Sequence, residues 1–153
     1  MFGYLQPSFR VVSLLYILSA SISIQTQALC IFHSHPDGYE ISPRFVGGLL
    51  LMMIGFVMGY VSDQTLLTLK RQAKGYQIPR HGSMFEYVSA PHFLGEIIEW
   101  TGFAMAANTW TAYSFAIWTA ANLIPRALAQ HEWYRTTFRE YPRHRKAILP
   151  FVW

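Results

Sequence analysis

Three long apolar stretches, separated by polar segments, organise this chain. Val11 to Phe32 (VVSLLYILSASISIQTQALCIF) carries no charge and is long enough to cross a bilayer, although its Ser, Thr and Gln content dilutes the signal. Phe45 to Val61 (FVGGLLLMMIGFVMGYV) is the strongest apolar segment. Between Trp100 and Pro125 lies a third charge-free run, which reads either as one tilted helix or as the centre of a helical hairpin broken near Asn108-Thr109. The pattern predicts an all-α, polytopic membrane helical bundle.

Charge distribution chooses between the two readings of the third run. The loop from Ser62 to His92 carries Lys70, Arg71, Lys74 and Arg80 against Asp63 and Glu86. The tail carries Arg126, Arg135, Arg139, Arg143, Arg145 and Lys146 against Glu132 and Glu140. Both are net basic, so the positive-inside rule puts both in the cytosol, which requires an even number of crossings between them. A hairpin follows. The expected spans are 11–32, 45–61, 93–108 and 111–128, with residues 129–153 as a cytosolic tail, both termini cytosolic and 1–153 a single membrane domain.

Composition agrees: 52% of residues are hydrophobic and 13% charged, where soluble domains carry about 25% charged residues. The apolar run behind Arg10 is longer than a cleavable signal core, so a retained anchor is expected. The single cysteine, Cys30, excludes an intrachain disulfide. No internal repeat or second soluble domain is visible. The net charge of +4 gathers on the cytosolic face, where anionic membrane lipid or a phosphorylated ligand, and no nucleic acid, is the expected partner. Oligomeric state is not set by the sequence.

Glu96 and Glu99 sit inside FLGEIIEWTGFAMAANTW. A carboxylate near hydrocarbon costs roughly 2.5–3.5 kcal/mol and persists where a cavity, cation or ligand offsets that cost. Spaced i, i+3, the two share a helix face, either snorkelling to water or lining a polar cavity that accepts hydrogen bonds from a ribose or amide. His92 precedes them, as a cap or as part of the same group. Asp63, with Lys70 and Arg71 after it, could bind hydroxyls and phosphates, or be a helix cap followed by ordinary positive-inside charge. Arg126, Gln130 and Tyr134 recur at i, i+4, i+8 and could face the same cavity, or belong to an interfacial helix with an aromatic belt of Trp133, Tyr134 and Phe138. Arg143, Arg145 and Lys146 are expected to meet lipid headgroups. His33 and His35 have no third metal-ligand partner, and no metal site is expected. GxGxxG, Walker A and nucleophile-elbow sequences are all missing.

Two segments, SMFEYVSAPHFLGEIIEWTGFAMA and RALAQHEWYRTTFREYPRHRKAILPF, resemble the C-terminal domain of the steroid 5α-reductase family. The resemblance begins near PDGY at Pro36 and runs to the C-terminus. It implies a polytopic reductase of the endoplasmic reticulum that uses NADPH to reduce the carbon–carbon double bond of a 3-oxo-Δ4 steroid or a related α,β-unsaturated lipid carbonyl. Relatives reduce polyprenals or enoyl-CoA, and a non-catalytic membrane scaffold built on the same fold is the other reading. By position, Asp63, Lys70, Tyr76, His92, Phe93, Glu96, Trp100, Arg126 and Tyr134 match the family's cofactor site. The chain departs from the usual family residues at Gly59 and His92 (Asn), Lys70 and Gln77 (Arg), and Gln130 (His). Lysine keeps the charge of arginine but loses its bidentate fork. The resemblance also implies that this chain corresponds to the last four of the family's seven helices. The Glu and Tyr that polarise the substrate carbonyl fall in the preceding part, so the sequence implies a fragment or a homologue that has lost catalysis, and it assigns no catalytic residue. Glu99 receives no role.

Overall fold

The computed structural model describes residues 25–34, 41–72, 78–79 and 84–149, in two compact units that divide after Tyr39. In the first unit residues 25–34 are helical (α1), and the remainder of the expected 11–32 span lies outside the described residues. The second unit holds α2 (Pro43–Gln72), a 3₁₀ turn (Met84–Glu86), α3 (Pro91–Ala107) and α4 (Trp110–Thr137). Every regular element among the described residues is helical.

Local chemistry sets several of the helix ends. At the start of α2 the Ser42 hydroxyl accepts the Phe45 amide at 3.2 Å and Pro43 supplies the fixed φ that suits a first helical position. The helix then runs for 30 residues, so the apolar stretch and the Asp63–Arg71 segment form one continuous rod of about 45 Å. It ends in Lys70 and Arg71, whose charges suit the negative end of the helix dipole. It is the one described helix long and apolar enough to cross a membrane, with mean hydropathy 2.0 over its most apolar 18 residues.

The third apolar run breaks at Asn108. This residue closes α3 in the left-handed conformation (φ 49°), with its amide donating to the Ala104 carbonyl at 2.9 Å. Asparagine tolerates that conformation better than other side-chain-bearing residues. Thr109 then caps α4 by accepting the Ala112 amide at 3.3 Å. The result is a two-helix hairpin with a very short turn.

Glycine sets how closely α2 and α3 pack. A Cβ on Gly48 would stand 2.8 Å from the Gly102 carbonyl oxygen, and one on Gly95 would stand 2.6 Å from the Gly59 amide nitrogen. Spaced seven apart on both helices, Gly48 and Gly55 face Gly102 and Gly95 in antiparallel order. The helices therefore meet backbone to backbone. The opposite faces of α2 stay apolar and uncovered, with Leu50, Met53, Ile54, Phe56 and Val57 all exposed, as are Trp110, Ile117 and Trp118 on α4.

The core lies where α3 and α4 meet the C-terminal segment. Ala90, Leu94, Ala127 and Ile148 form one buried cluster; Ile78, Tyr134 and Tyr141 form another. Residues 146–147 pair with 87–90 in a short parallel bridge: Lys146 N donates to Tyr87 O (3.0 Å), Ser89 N to Lys146 O (2.9 Å) and Ala90 N to Ala147 O (3.3 Å). The segment after α4 thus straps back over the entrance to α3.

Candidate functional site

Five of the residues singled out in the sequence gather at one end of the bundle. Asp63 stands on α2, one turn beyond Gly59, and a Cβ on Gly59 would have the His92 carbonyl oxygen as its nearest neighbour, at 3.9 Å. On α3, His92 and Glu96 are one turn apart. Asp63 lies within electrostatic reach of both, and Glu99 of α3 and Arg126 of α4 lie within reach of Glu96. Three helices thus bring three carboxylates, an imidazole and a guanidinium to one place.

The framework behind this group is well packed. Ala127, next to Arg126, is fully buried against Ala90, Leu94 and Ile148. Phe93 packs on the same cluster, with the His92 ring 4.1 Å from its own. The His92 Nδ1 is buried and has no hydrogen-bond partner among the described residues. Burying a polar atom without a partner costs free energy, so that nitrogen is an open position for a ligand's donor or acceptor. Glu96 itself is exposed, and Lys70 sits two turns beyond Asp63 on the same side of α2.

Two other singled-out residues pack among aromatic rings. Trp100 packs edge-on against Phe103 (5.7 Å) and Phe115 (4.5 Å). Tyr134 is buried among Ile78, Phe138 and Tyr141, stacked on Tyr141 at 5.4 Å, and so packs against the C-terminal strap. Glu99, in the Glu96 group, is partly buried, with its backbone against Gly55. Tyr76 lies outside the described residues. The headgroup reading of Arg145 is corrected: this residue is only 4% exposed, donates from Nη2 to the Pro79 carbonyl at 2.7 Å and lies over the Tyr141 ring. An apolar cavity of about 560 Å³ opens along α2 between Leu50 and Ser62, next to Asp63, with Met53, Val57, Met58 and Met84 in its walls.

Sequence reasoning missed one polar cluster. The Ser89 hydroxyl touches His131 Nδ1 (2.5 Å), the Tyr141 hydroxyl (2.5 Å) and the Lys146 carbonyl (3.0 Å). Burial, reinforced by Arg135 and Lys146 and opposed by Glu132, keeps the His131 imidazole below the ordinary histidine pKa. A serine two residues before a proline carries no motif, so only long-range pairing reveals it.

Fold and site together define an all-helical protein with a mixed-charge polar site at one end of three packed helices. The family profile described as 3-oxo-5-alpha-steroid 4-dehydrogenase matches residues 6–153, and the chain belongs to that family. It is 46% identical over 111 residues to a steroid 5-alpha-reductase DET2 of Solanum lycopersicum, covering 72% of this chain and 43% of that protein. It is 36% identical over 150 residues to 3-oxo-5-alpha-steroid 4-dehydrogenase 1 of Rattus norvegicus, covering 96% and 58%. The human protein of the latter name is 41% identical over 119 residues, covering 77% and 46%. The chain spans about half the length of the curated relatives it matches.

Proposed function

We propose that this chain forms the cofactor-holding part of a membrane-embedded reductase that uses NADPH to reduce the carbon–carbon double bond of a 3-oxo-Δ4 steroid or a related α,β-unsaturated lipid carbonyl. The convergence of Asp63, His92, Glu96 and Arg126 from three helices carries this reading. The bundle lies in the membrane, in our reading that of the endoplasmic reticulum, with α2, α3 and α4 crossing it and the polar end toward the cytosol. The uncovered apolar faces of α2 and α4 support that placement.

The residues present fit a dinucleotide. Arg126 is permanently charged and offers a planar fork of donors that matches a phosphate; Lys70 adds a second cation on the α2 side. Asp63 and Glu96, when ionised, accept hydrogen bonds from ribose hydroxyls or a carboxamide. His92 Nδ1, buried and without a partner among the described residues, is suited to a single hydrogen bond with an amide. NADPH, when bound, supplies the hydride, and these side chains contribute proximity and orientation. The apolar cavity along α2 falls in the usual size range of small-molecule sites, about 300–1,000 Å³, and its wall of Leu, Met and Val suits a steroid or another lipid.

A fluorescence titration of the detergent-purified chain with NADPH tests this reading. Saturable binding that weakens at least tenfold in Glu96→Gln, with folding retained, is the expected result. No binding by a folded chain sinks the cofactor reading and leaves a non-catalytic scaffold of the same family.

A further inference from the structure

We propose that Ser89, His131 and Tyr141 form a positioning node that fixes the start of α3 against α4, and so holds His92 and Glu96 in register with Arg126; the cofactor consequence rests on the reading above. The entrance to α3 lacks its own lock. Its N-cap residue is Ala90, which has no side chain able to cap, and Pro91 follows directly. What holds Ala90 in place is external. Its amide is bonded to Ala147, and the neighbouring Ser89 is bonded through both backbone and side chain.

The hydrogen bonds of Ser89 can be counted. One hydroxyl donates once and accepts twice. With its proton on the Lys146 carbonyl, the Ser89 oxygen accepts from the Tyr141 hydroxyl and from Nδ1–H of His131. All capacity is used, and the imidazole is set in its Nδ1–H form. Tyr141 is then gripped a second time, stacked on Tyr134 and edge-on to His131, both from α4. His131 lies five residues past Arg126 on α4, and Ser89 lies three residues before His92. The node therefore joins the two elements that carry the site, about one helical turn from the site itself.

Removing one partner leaves buried polar atoms unsatisfied, and the linkage between α3 and α4 loosens at this end. The test uses the full chain in detergent and the variants Ser89→Ala, His131→Leu and His131→Asn. The last keeps an N–H donor close to the position of Nδ1. Two readouts are followed: hydrogen exchange of the amides from 88 to 96, and NADPH affinity. Ser89→Ala and His131→Leu are expected to speed exchange at 88–96 about tenfold and to weaken NADPH binding about tenfold, while exchange across Gly48–Gly55 stays unchanged. His131→Asn is expected to restore both to within about threefold of the parent. Unchanged exchange at 88–96, equal acceleration throughout α2 and α3, or failure of His131→Asn to restore the parent values overturns the node. If the parent chain binds no NADPH, the cofactor reading fails by itself, and the exchange readout still decides the node.

Discussion

Gly55 of α2 and Gly95 of α3 meet without a side chain between them: a Cβ on Gly55 would stand 2.6 Å from the Gly95 carbonyl oxygen and would also run into the Glu99 amide. Close backbone approach of this kind is how helices gain packing contact where surrounding lipid offers little hydrophobic drive. It also fixes the distance from Asp63 on one helix to His92 and Glu96 on the other.

Replacing Gly55 with alanine should therefore separate α2 from α3. Overpacking of this sort costs about 1–3 kcal/mol, and thermal unfolding in detergent, followed by circular dichroism, is expected to shift downward. Gly59→Ala is the control. Its Cβ would meet nothing nearer than 3.9 Å, so the helix-propensity gain of about 1 kcal/mol should leave the unfolding temperature equal or higher. Equal loss in both variants would contradict the packing account.

The hairpin turn predicts a different pair of outcomes. Asn108 is left-handed, so Asn108→Gly should be neutral, whereas Asn108→Ala should cost about 1 kcal/mol. Loss of the Thr109 cap in Thr109→Ala should cost about the same, through the orphaned Ala112 amide. Denaturant or thermal melts of the three variants check these values.

Arg126 and Lys70 separate shape from charge at the proposed cofactor site. Arg126→Lys keeps the charge but loses the fork, and NADPH affinity is expected to fall about tenfold, with a larger fall in Arg126→Met. Lys70→Arg goes the other way and should tighten binding by about two- to fivefold. Titrations at fixed ionic strength decide both; an unaltered affinity in Arg126→Met would remove this residue from the site.

His131 gives the stability of the fold a pH dependence. Burial first, then Arg135 and Lys146 against Glu132, hold its folded pKa below the ordinary value. On acidification the unfolded chain takes up the proton first, near pH about 6.5, so it binds more protons than the folded chain in that range. Stability should fall as pH drops below that value, with the loss complete once the folded histidine is also protonated. The difference in unfolding temperature between the parent and His131→Asn isolates this contribution, and the two should converge above pH about 7.5.

The helical class was legible because apolar runs this long, interrupted by polar pairs, leave few alternatives. Asn108-Thr109 was visible as the one polar pair in a charge-free run, and it is where the helix breaks. Glu96 stood out as a costly carboxylate, whereas Asp63, His92 and Arg126 each also had an ordinary cap or interface reading, and only the packing of three helices joins them. Arg145 was misread because the run from Arg143 to Lys146 has the pattern of an ordinary basic patch. Its burial depends on the Pro79 carbonyl, 66 positions away, which no local pattern encodes. Ser89 and Tyr141 escaped notice for the same reason, being partners across 52 positions. The register of Gly48 and Gly55 against Gly102 and Gly95 arises only when two helices pair, so no local pattern encodes it.

The strap over α3 also sets an order of events. The α3–α4 hairpin closes through two residues, whereas the strap joins Ser89 to Lys146 across 57 positions and Pro79 to Arg145 across 66. Contacts this distant in sequence form late, since the chain between them must be ordered first. The helices can therefore assemble as a scaffold before the polar end becomes rigid, and that end is the first to open under stress. Proteolytic cutting should begin in the strap while the glycine-packed helices remain intact, giving a helical core that has lost its grip on Ala90.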